Sequence, residues 1–422
     1  FPSLEPHPAL RRLDSWPLGP HGRKEHFGFR DGLSNPRIEG LASGSGSGAS
    51  EQPLPAGEVL LGHENVYGGP ARGPTVCAQD DPAEILVKAT RDGRRDLGRN
   101  GSYLVFRQLS QDVQGFWDFA VKQGQVRAEG SSGGEGAVWL ASRMVGRWPN
   151  GSPIVRHPDA SPPDDEADLE DFQFAEEGAR VGGRCPVGAH VRRANPRDTL
   201  LPNAMERPVV ADPAKQPEQV RADRMELVRR RRILRRGRPY GLPVDVSMEP
   251  ERLRLGDDRG ARGLCFLCFN GNISRQFEFV QSTWMINPCF ASLPADPDPL
   301  VGADRQHPFS ASGFTMRDQR HQYRLEGMPR FVQVKGGAYF FMPGRRALEF
   351  LCQSPAARRF ERVSAGERVA VGALERLHLE KIRAASRARP DAPAPRGFHT
   401  KGHGLLRAVF QVADDIPEGL QE

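Results

Sequence analysis

A chain of 422 residues, 38% hydrophobic and 27% charged, has room for two or three domains and enough apolar residues for a packed core, which excludes a wholly disordered polymer. No run of about 18 apolar residues is present, so no membrane span is predicted, and the polar, proline-rich first residues carry no secretory signal; the reading is a cytoplasmic protein, beginning at Phe1 rather than Met as a processed or partial product would. The net charge of +6 admits an anionic partner, but the 53 acidic residues are interspersed and no nucleic-acid-binding pattern accompanies the arginines, so no nucleic acid is expected.

The first chemistry-bearing block in chain order is Phe27-Gly28-Phe29-Arg30-Asp31-Gly32. Taken alone, an aspartate beside glycine reads as a turn or cap residue. Residues 41–57, rich in Gly, Ser and Pro, form a flexible connector by composition. Residues 102–107 read as a strand, and 111–123 place Val113, Phe116, Trp117, Phe119 and Ala120 at helical intervals, predicting an amphipathic helix. Residues 150–184, rich in Pro, Gly, Asp and Glu, predict a long surface loop. That loop leads into the second block, Cys185-Pro186-Val187-Gly188-Ala189-His190-Val191-Arg192-Arg193-Ala194-Asn195-Pro196-Arg197.

The run Arg229-Arg230-Arg231-Arg232 reads as a solvated face or as arginines turned toward a cofactor. The third block, Arg235-Arg236-Gly237-Arg238-Pro239-Tyr240-Gly241, follows it. Residues 263–280 give two apolar, strand-like runs around Asn270-Gly271-Asn272, and 331–341 give another. Cys265 and Cys268 have a CxxC spacing, but they lie inside the first of these runs and read as part of a buried strand. Six scattered cysteines are too sparse for a disulfide scaffold and suit a reducing compartment. Strands and helices mixed in this order predict an α+β fold.

The three blocks offer one carboxylate, one imidazole and one guanidinium, a trio that suits a haem peroxidase. An imidazole can hold ferric iron from one side, while an acid and an arginine on the other manage a peroxide. The blocks resemble the dye-decolorizing peroxidase family, and so do the stretches Val59-Leu60-Leu61-Gly62-His63-Glu64-Asn65-Val66-Tyr67-Gly68, Leu97-Gly98-Arg99-Asn100-Gly101-Ser102-Tyr103-Leu104-Val105-Phe106-Arg107, Val145-Gly146-Arg147-Trp148-Pro149 and Arg275-Gln276-Phe277-Glu278-Phe279. The resemblance runs from about residue 20 to about residue 350.

It implies a ferredoxin-like α+β barrel fold of two halves, with haem b held mostly by the second, and on that reading most of the first half is expected to lie outside this sequence. It implies His190 as the iron ligand, with Gly188 and Ala189 leaving room for the flat macrocycle and Arg192, Arg193 and Arg197 able to meet its propionates, Arg197 first and Arg192 second. Asp31 becomes the distal acid–base residue, and an aspartate near its ordinary pKa of about 3.9 predicts an acidic optimum. Arg235 becomes the distal cation, with Arg236 its rival if the register shifts by one, and Leu264 and Phe266 the apolar wall of the pocket. The acceptor for the other ring nitrogen of His190 is sought near 336–341, where Ala338 holds the place of a carboxylate, so that either another acid or a backbone carbonyl serves. Trp284 and Tyr339 are candidates for relaying electrons from bulky donors.

The implied reaction is reduction of hydrogen peroxide and one-electron oxidation of dyes or phenols, with a haem carrier or sensor as the alternative and room for a homo-oligomer. The expected domains are a peroxidase domain over 1–354, a helical and proline-rich linker over 355–395, and the opening of a catalase-like domain over 396–422. The last rests on Arg396-Gly397-Phe398-His399-Thr400-Lys401-Gly402-His403-Gly404 and Phe410-Gln411-Val412-Ala413-Asp414-Asp415-Ile416-Pro417.

Overall fold

The computed structural model describes residues 24–41, 52–89, 93–124, 133–163, 169–174, 183–200, 217–242, 260–293, 295–302, 313–317 and 322–353. The expected linker and catalase-like segment lie outside the described residues, as does most of the 41–57 connector. In chain order the strands are β1 Thr75–Val76, β2 Arg95–Asp96, β3 Ser102–Gln111, β4 Leu234–Tyr240, β5 Gly263–Asn270, β6 Phe314–Arg317, β7 Gln322–Leu325 and β8 Val332–Met342. The α-helices are α1 Val113–Gly124, α2 Gly133–Val145, α3 His190–Ala194, α4 Pro217–Arg229 and α5 Arg345–Gln353. This is an α+β chain, and it divides into two units, one of residues 1–59, 65–67 and 103–339, the other of 60–64, 68–102 and 340–422.

The larger unit is built on a four-stranded sheet of order β4-β5-β3-β8. The unbroken apolar run of β5 takes an inner position, pairing antiparallel with β3 on one side and β4 on the other. Its register sets Arg235 opposite Cys268, Gly237 opposite Phe266 and Pro239 opposite Leu264. On the other side Arg107 lies opposite Phe266 and Leu109 opposite Leu264. Because side chains alternate along a strand, Arg235, Gly237, Leu264, Phe266 and Arg107 share one face.

The main core joins α1 and α2. In α2, Ala137, Leu140, Ala141 and Met144 are buried at i, i+3, i+4 and i+7, the spacing of a single helical stripe. Phe116 and Trp117 of α1 are wholly buried, and Phe331 meets Phe116 edge-on at 5.3 Å between centroids. The smaller unit has its own core of Leu86, Leu97, Ala347 and Phe350, beside the two-stranded β1-β2 ladder. Among the described residues no helix is long and apolar enough to cross a membrane.

Three expectations change. The 150–184 segment is more than a surface loop, since Ile154, Val155, Phe172 and Phe174 are buried with Trp148 and Cys185 in a core cluster of their own. Composition averaged these four apolar anchors away. The second strand-like run of 263–280 is helical instead, forming Ser274–Glu278 and Val280–Ile286 with the wide π-type pitch. Phe277, Val280 and Trp284 are buried at helical spacing, and burying that stripe outweighs strand propensity. The arginine run is neither uniformly solvated nor turned to one side. Arg229 and Arg230 pair with Glu226 at 3.5 and 3.1 Å, Arg231 lies over the Phe279 ring at 4.0 Å, and Arg232 is buried, donating to the Ser34 carbonyl at 3.0 Å. All six cysteines are free thiols, and burial pushes Cys268 up to about 12, as befits a strand residue.

Candidate active site

The segment before Asp31 folds back on itself. Lys24 and Arg30 face each other as an antiparallel bridge, and the Glu25 N–H donates to the Phe29 carbonyl at 3.0 Å. Gly28, at φ +90°, occupies the turn where a side chain would be strained. Phe27 and Phe29, either side of it, are driven into the main core. Phe27 stacks on Phe116 with centroids 4.4 Å apart, and Phe29 lies parallel to Trp117 at 6.5 Å. Such pairs contribute about 0.5–1.5 kcal/mol beyond the area they bury, which anchors the hairpin immediately ahead of Asp31.

Arg235, reaching from β4, donates through Nη1 to Asp31 Oδ1 at 2.8 Å and through Nη2 to the Leu33 carbonyl at 3.1 Å. Its backbone N–H donates to Asn35 Oδ1 at 3.1 Å. Arg235, rather than Arg236, is thus the arginine brought to the aspartate; Arg236 is exposed, opposite Leu267 on the other face of the sheet. Burial acts to raise the Asp31 pKa, but the Arg235 charge, the Gly32 N–H and the field of His190 outweigh it and hold the group below the usual carboxylate range.

Gly237 makes this geometry possible. A Cβ there would stand 2.3 Å from Asp31 Oδ2 and 3.0 Å from Leu264 Cδ1, so the glycine leaves the slot the carboxylate fills and Leu264 closes its side. Gly237→Ala is therefore expected to dislodge Asp31 from Arg235 and reduce any activity that needs the pair, measured as turnover at an unchanged melting temperature. Phe266, on the same face, lies against Phe277 with ring centroids 6.0 Å apart, so its ring also serves the packing on that face of the sheet.

His190 opens α3 with its side chain 32% exposed, and its Nδ1 lies 3.0 Å from Asp298 Oδ2. Asp298 is wholly buried and its Oδ1 accepts the N–H groups of Leu300 and Val301, each at 2.9 Å. Burial acts to raise its pKa, but His190, Arg193 and the Val301 N–H overcome this and keep it a carboxylate. An ionised acceptor makes Nδ1 the donor, which leaves Nε2 as the nitrogen able to ligate.

Asp298 is the residue that sequence reasoning missed. It sits in Ala295-Asp296-Pro297-Asp298-Pro299, far from Ala338, and its only signal was an aspartate between prolines in an otherwise apolar stretch. The small residues beside His190 also differ from expectation. Gly188 and Ala189 are buried, and the side-chain position of Gly188 falls 3.4 Å from Leu293 and 3.5 Å from Phe314, so protein packs against it.

The first two expected propionate partners separate. Arg192 is wholly buried, donating to the Cys185 carbonyl at 2.6 Å and Thr199 Oγ1 at 2.9 Å over the Phe174 ring, which fastens the His190 block to its own flanks. A guanidinium so enclosed is badly placed to reach a ligand. Arg197, half-buried, lies 4.0 Å over the Phe172 ring and donates to the Phe172 and Glu170 carbonyls at 2.7 and 3.0 Å. It also approaches Ser34 Oγ at 3.4 Å, which Arg147 reaches at 2.8 Å. Burial pushes Arg147, Arg197 and Arg232 each down to about 10, the mark of cations gathered around Ser34 in a poorly solvated place. Glu170 clamps Ser34 from the other side, accepting its N–H at 2.9 Å and its hydroxyl at 3.0 Å. Of the two relay candidates, Trp284 is 4% exposed and Tyr339 43% exposed, so only Tyr339 meets solvent.

No family model matches the chain. It is 29% identical over 335 residues to dye-decolorizing peroxidase msp1 of Mycetinis scorodonius, covering 77% of this chain and 56% of that protein. It is 31% identical over 343 residues to a dye-decolorizing peroxidase of Mycena epipterygia, covering 76% and 55%. Over 260 residues it is 31% identical to the multifunctional dye peroxidase DyP2 of an Amycolatopsis species, covering 60% and 49%. The chain thus spans about half the length of these relatives. Among solved structures, an ancestral D-type dye-decolorizing peroxidase matches with TM-score 0.55 and 29% identity, over 78% of this chain and 63% of that one. A single-residue variant of the Pleurotus ostreatus enzyme matches with TM-score 0.54 and 27% identity, over 78% and 61%.

Proposed function

This chain belongs with the dye-decolorizing peroxidases, to which it is homologous over about three quarters of its length, and on that premise we propose that it is a haem peroxidase reducing hydrogen peroxide at the expense of one-electron organic donors. The observation that carries the proposal is a pair of devices: an imidazole fixed by a buried aspartate, and a carboxylate fixed by an arginine.

The donor set fits haem b. His190 Nε2 would hold the iron, Leu264 and Phe266 would border the macrocycle, and the cations near Ser34, Arg197 first among them, would meet its carboxylates. Haem supplies the redox chemistry when bound. Asp298 fixes the imidazole tautomer and its orientation. Asp31 takes a proton from the inner oxygen of the hydroperoxide and returns it to the oxygen that leaves as water. Arg235 holds Asp31 in place and offers a fixed cation to charge that develops on the departing oxygen. Dyes and phenols too bulky for the site would give up their electrons at the protein surface, where Tyr339 is exposed.

The pH dependence follows from the direction of the Asp31 shift. A carboxylate whose pKa is depressed serves as a base above that pKa and is lost as the pH falls through it. The loss of peroxide activity that comes from protonating Asp31 itself is therefore expected only below the ordinary aspartate range. Arg235→Leu removes the leading cause of the depression, so the acid limb of kcat/KM for peroxide moves to higher pH. An acid limb at the same pH in both proteins would contradict the assignment. A haem carrier, the other reading of the same fold, would show no peroxide-dependent dye oxidation in either protein.

A further inference from the structure

Glu25 has no part in the chemistry above, yet its carboxylate is folded back into the hairpin that carries Asp31. Its Oε2 accepts the Phe27 N–H at 2.9 Å and its Oε1 the Phe29 N–H at 3.0 Å. A third donor comes from another element, Gln111 Nε2 at the end of β3, 2.6 Å from Oε2. The next residue, His26, is buried, with Nε2 2.7 Å from the Tyr240 carbonyl at the end of β4. The hairpin is thereby tied to the ends of two strands of the sheet, and one of them, β4, carries Arg235.

We infer that Glu25 is a positioning residue for the peroxide step, holding the Asp31 hairpin against the sheet so that the Asp31 carboxylate stays in the Gly237 slot beside Arg235. The inference rests on the peroxidase reading but adds a residue to it. The tolerance is narrow, because an added methyl at Gly237 would already fall 2.3 Å from the carboxylate. Phe29, whose N–H Glu25 holds, lies two residues ahead of Asp31, so slack in the hairpin passes directly to the acid.

Burying a carboxylate is costly unless donors surround it. Burial pushes Glu25 up to about 7 against the pull of its three donors, and the Asp31 charge adds to the rise. A solvated side chain at this position would escape that cost.

Two variants of the haem-supplied chain test the inference. Glu25→Gln keeps the length but loses the charge, and Gln111→Leu cuts only the tie to β3. Assayed on the alkaline side of the Glu25 titration, where the parent carries the charge, both are expected to lower kcat/KM for hydrogen peroxide while the same ratio for a reducing dye and the Soret band stay unchanged, by roughly tenfold or more for Glu25→Gln, the usual loss of a hydrogen bond to a charged acceptor. In the haem-free protein, on the alkaline side of the Glu25 titration, Glu25→Gln should speed amide exchange at Phe29 and at Gly32, whose N–H donates to Asp31, by a similar factor.

Peroxide kinetics within twofold of the parent in a folded variant would overturn the inference, as would a parallel fall in the peroxide and dye ratios. If Glu25→Gln does not fold, Gln111→Leu decides on the same criteria. If the parent chain consumes no peroxide, the proposed function fails, and the tie is then judged on exchange alone: unchanged protection at Phe29 and Gly32 overturns it.

Discussion

Asp31→Asn lowers the rate of reaction with hydrogen peroxide by about 10²–10⁴-fold, the usual contribution of a positioned proton shuttle, and leaves haem binding intact. The substitution is nearly isosteric. An asparagine oxygen in the Oδ1 place can still accept from Arg235 Nη1 while its amide nitrogen, of nearly the same size as an oxygen, takes the slot at Gly237, so the hairpin anchored by Phe27 and Phe29 has no reason to move. What is lost is the capacity to take up the peroxide proton and deliver it to the departing oxygen. Stopped-flow measurement on the haem-loaded variant, alongside its Soret spectrum, separates the two effects. A variant within tenfold of the parent would remove Asp31 from the mechanism.

His190→Ala weakens haem binding by more than the 10–100-fold that loss of an outer-shell partner typically costs a metal site. Asp298→Asn falls within that range, because the imidazole remains while its charged acceptor is gone. The variants differ in stability as well. His190 is partly exposed, whereas Asp298 also caps Leu300 and Val301 from a fully buried position, so only Asp298→Asn should lower the melting temperature of the haem-free protein appreciably. Haem titration followed by absorbance, with calorimetry on the haem-free forms, checks both statements. Equal haem affinity in parent and His190→Ala would place the iron ligand elsewhere.

The three blocks led directly to the residues that the fold gathers: Asp31 beside Arg235, with His190 within reach of their field. Each lies next to a chain feature with a local signature, the Gly28 turn, the glycine in β4, or the start of a short helix. Asp298 could not be found that way. Its relation to His190 spans 108 residues and depends on how the chain returns after the helical segment around Trp284, a matter of tertiary packing. The misplaced strand after Asn270 has the same origin, since Phe277, Val280 and Trp284 fit a helical stripe as well as an apolar run. Arg192 and Arg197 look alike in sequence, and only burial distinguishes the one sealed over Phe174 from the one lying beside Ser34. The α+β class was legible because α1 keeps a helical period and β5 is an unbroken apolar run of strand length, whereas the buried anchors of 150–184 are spread through a polar, proline-rich stretch.

Adding one equivalent of hydrogen peroxide to the haem-supplied chain, while following the Soret band and then a reducing dye, decides whether the chain is a peroxidase. The Soret band is expected to shift at once and to return as about two equivalents of dye are oxidised for each peroxide, and Asp31→Asn is expected to slow the shift without changing the starting spectrum. A bound haem whose spectrum ignores peroxide, with the dye left unoxidised, would contradict the peroxidase reading.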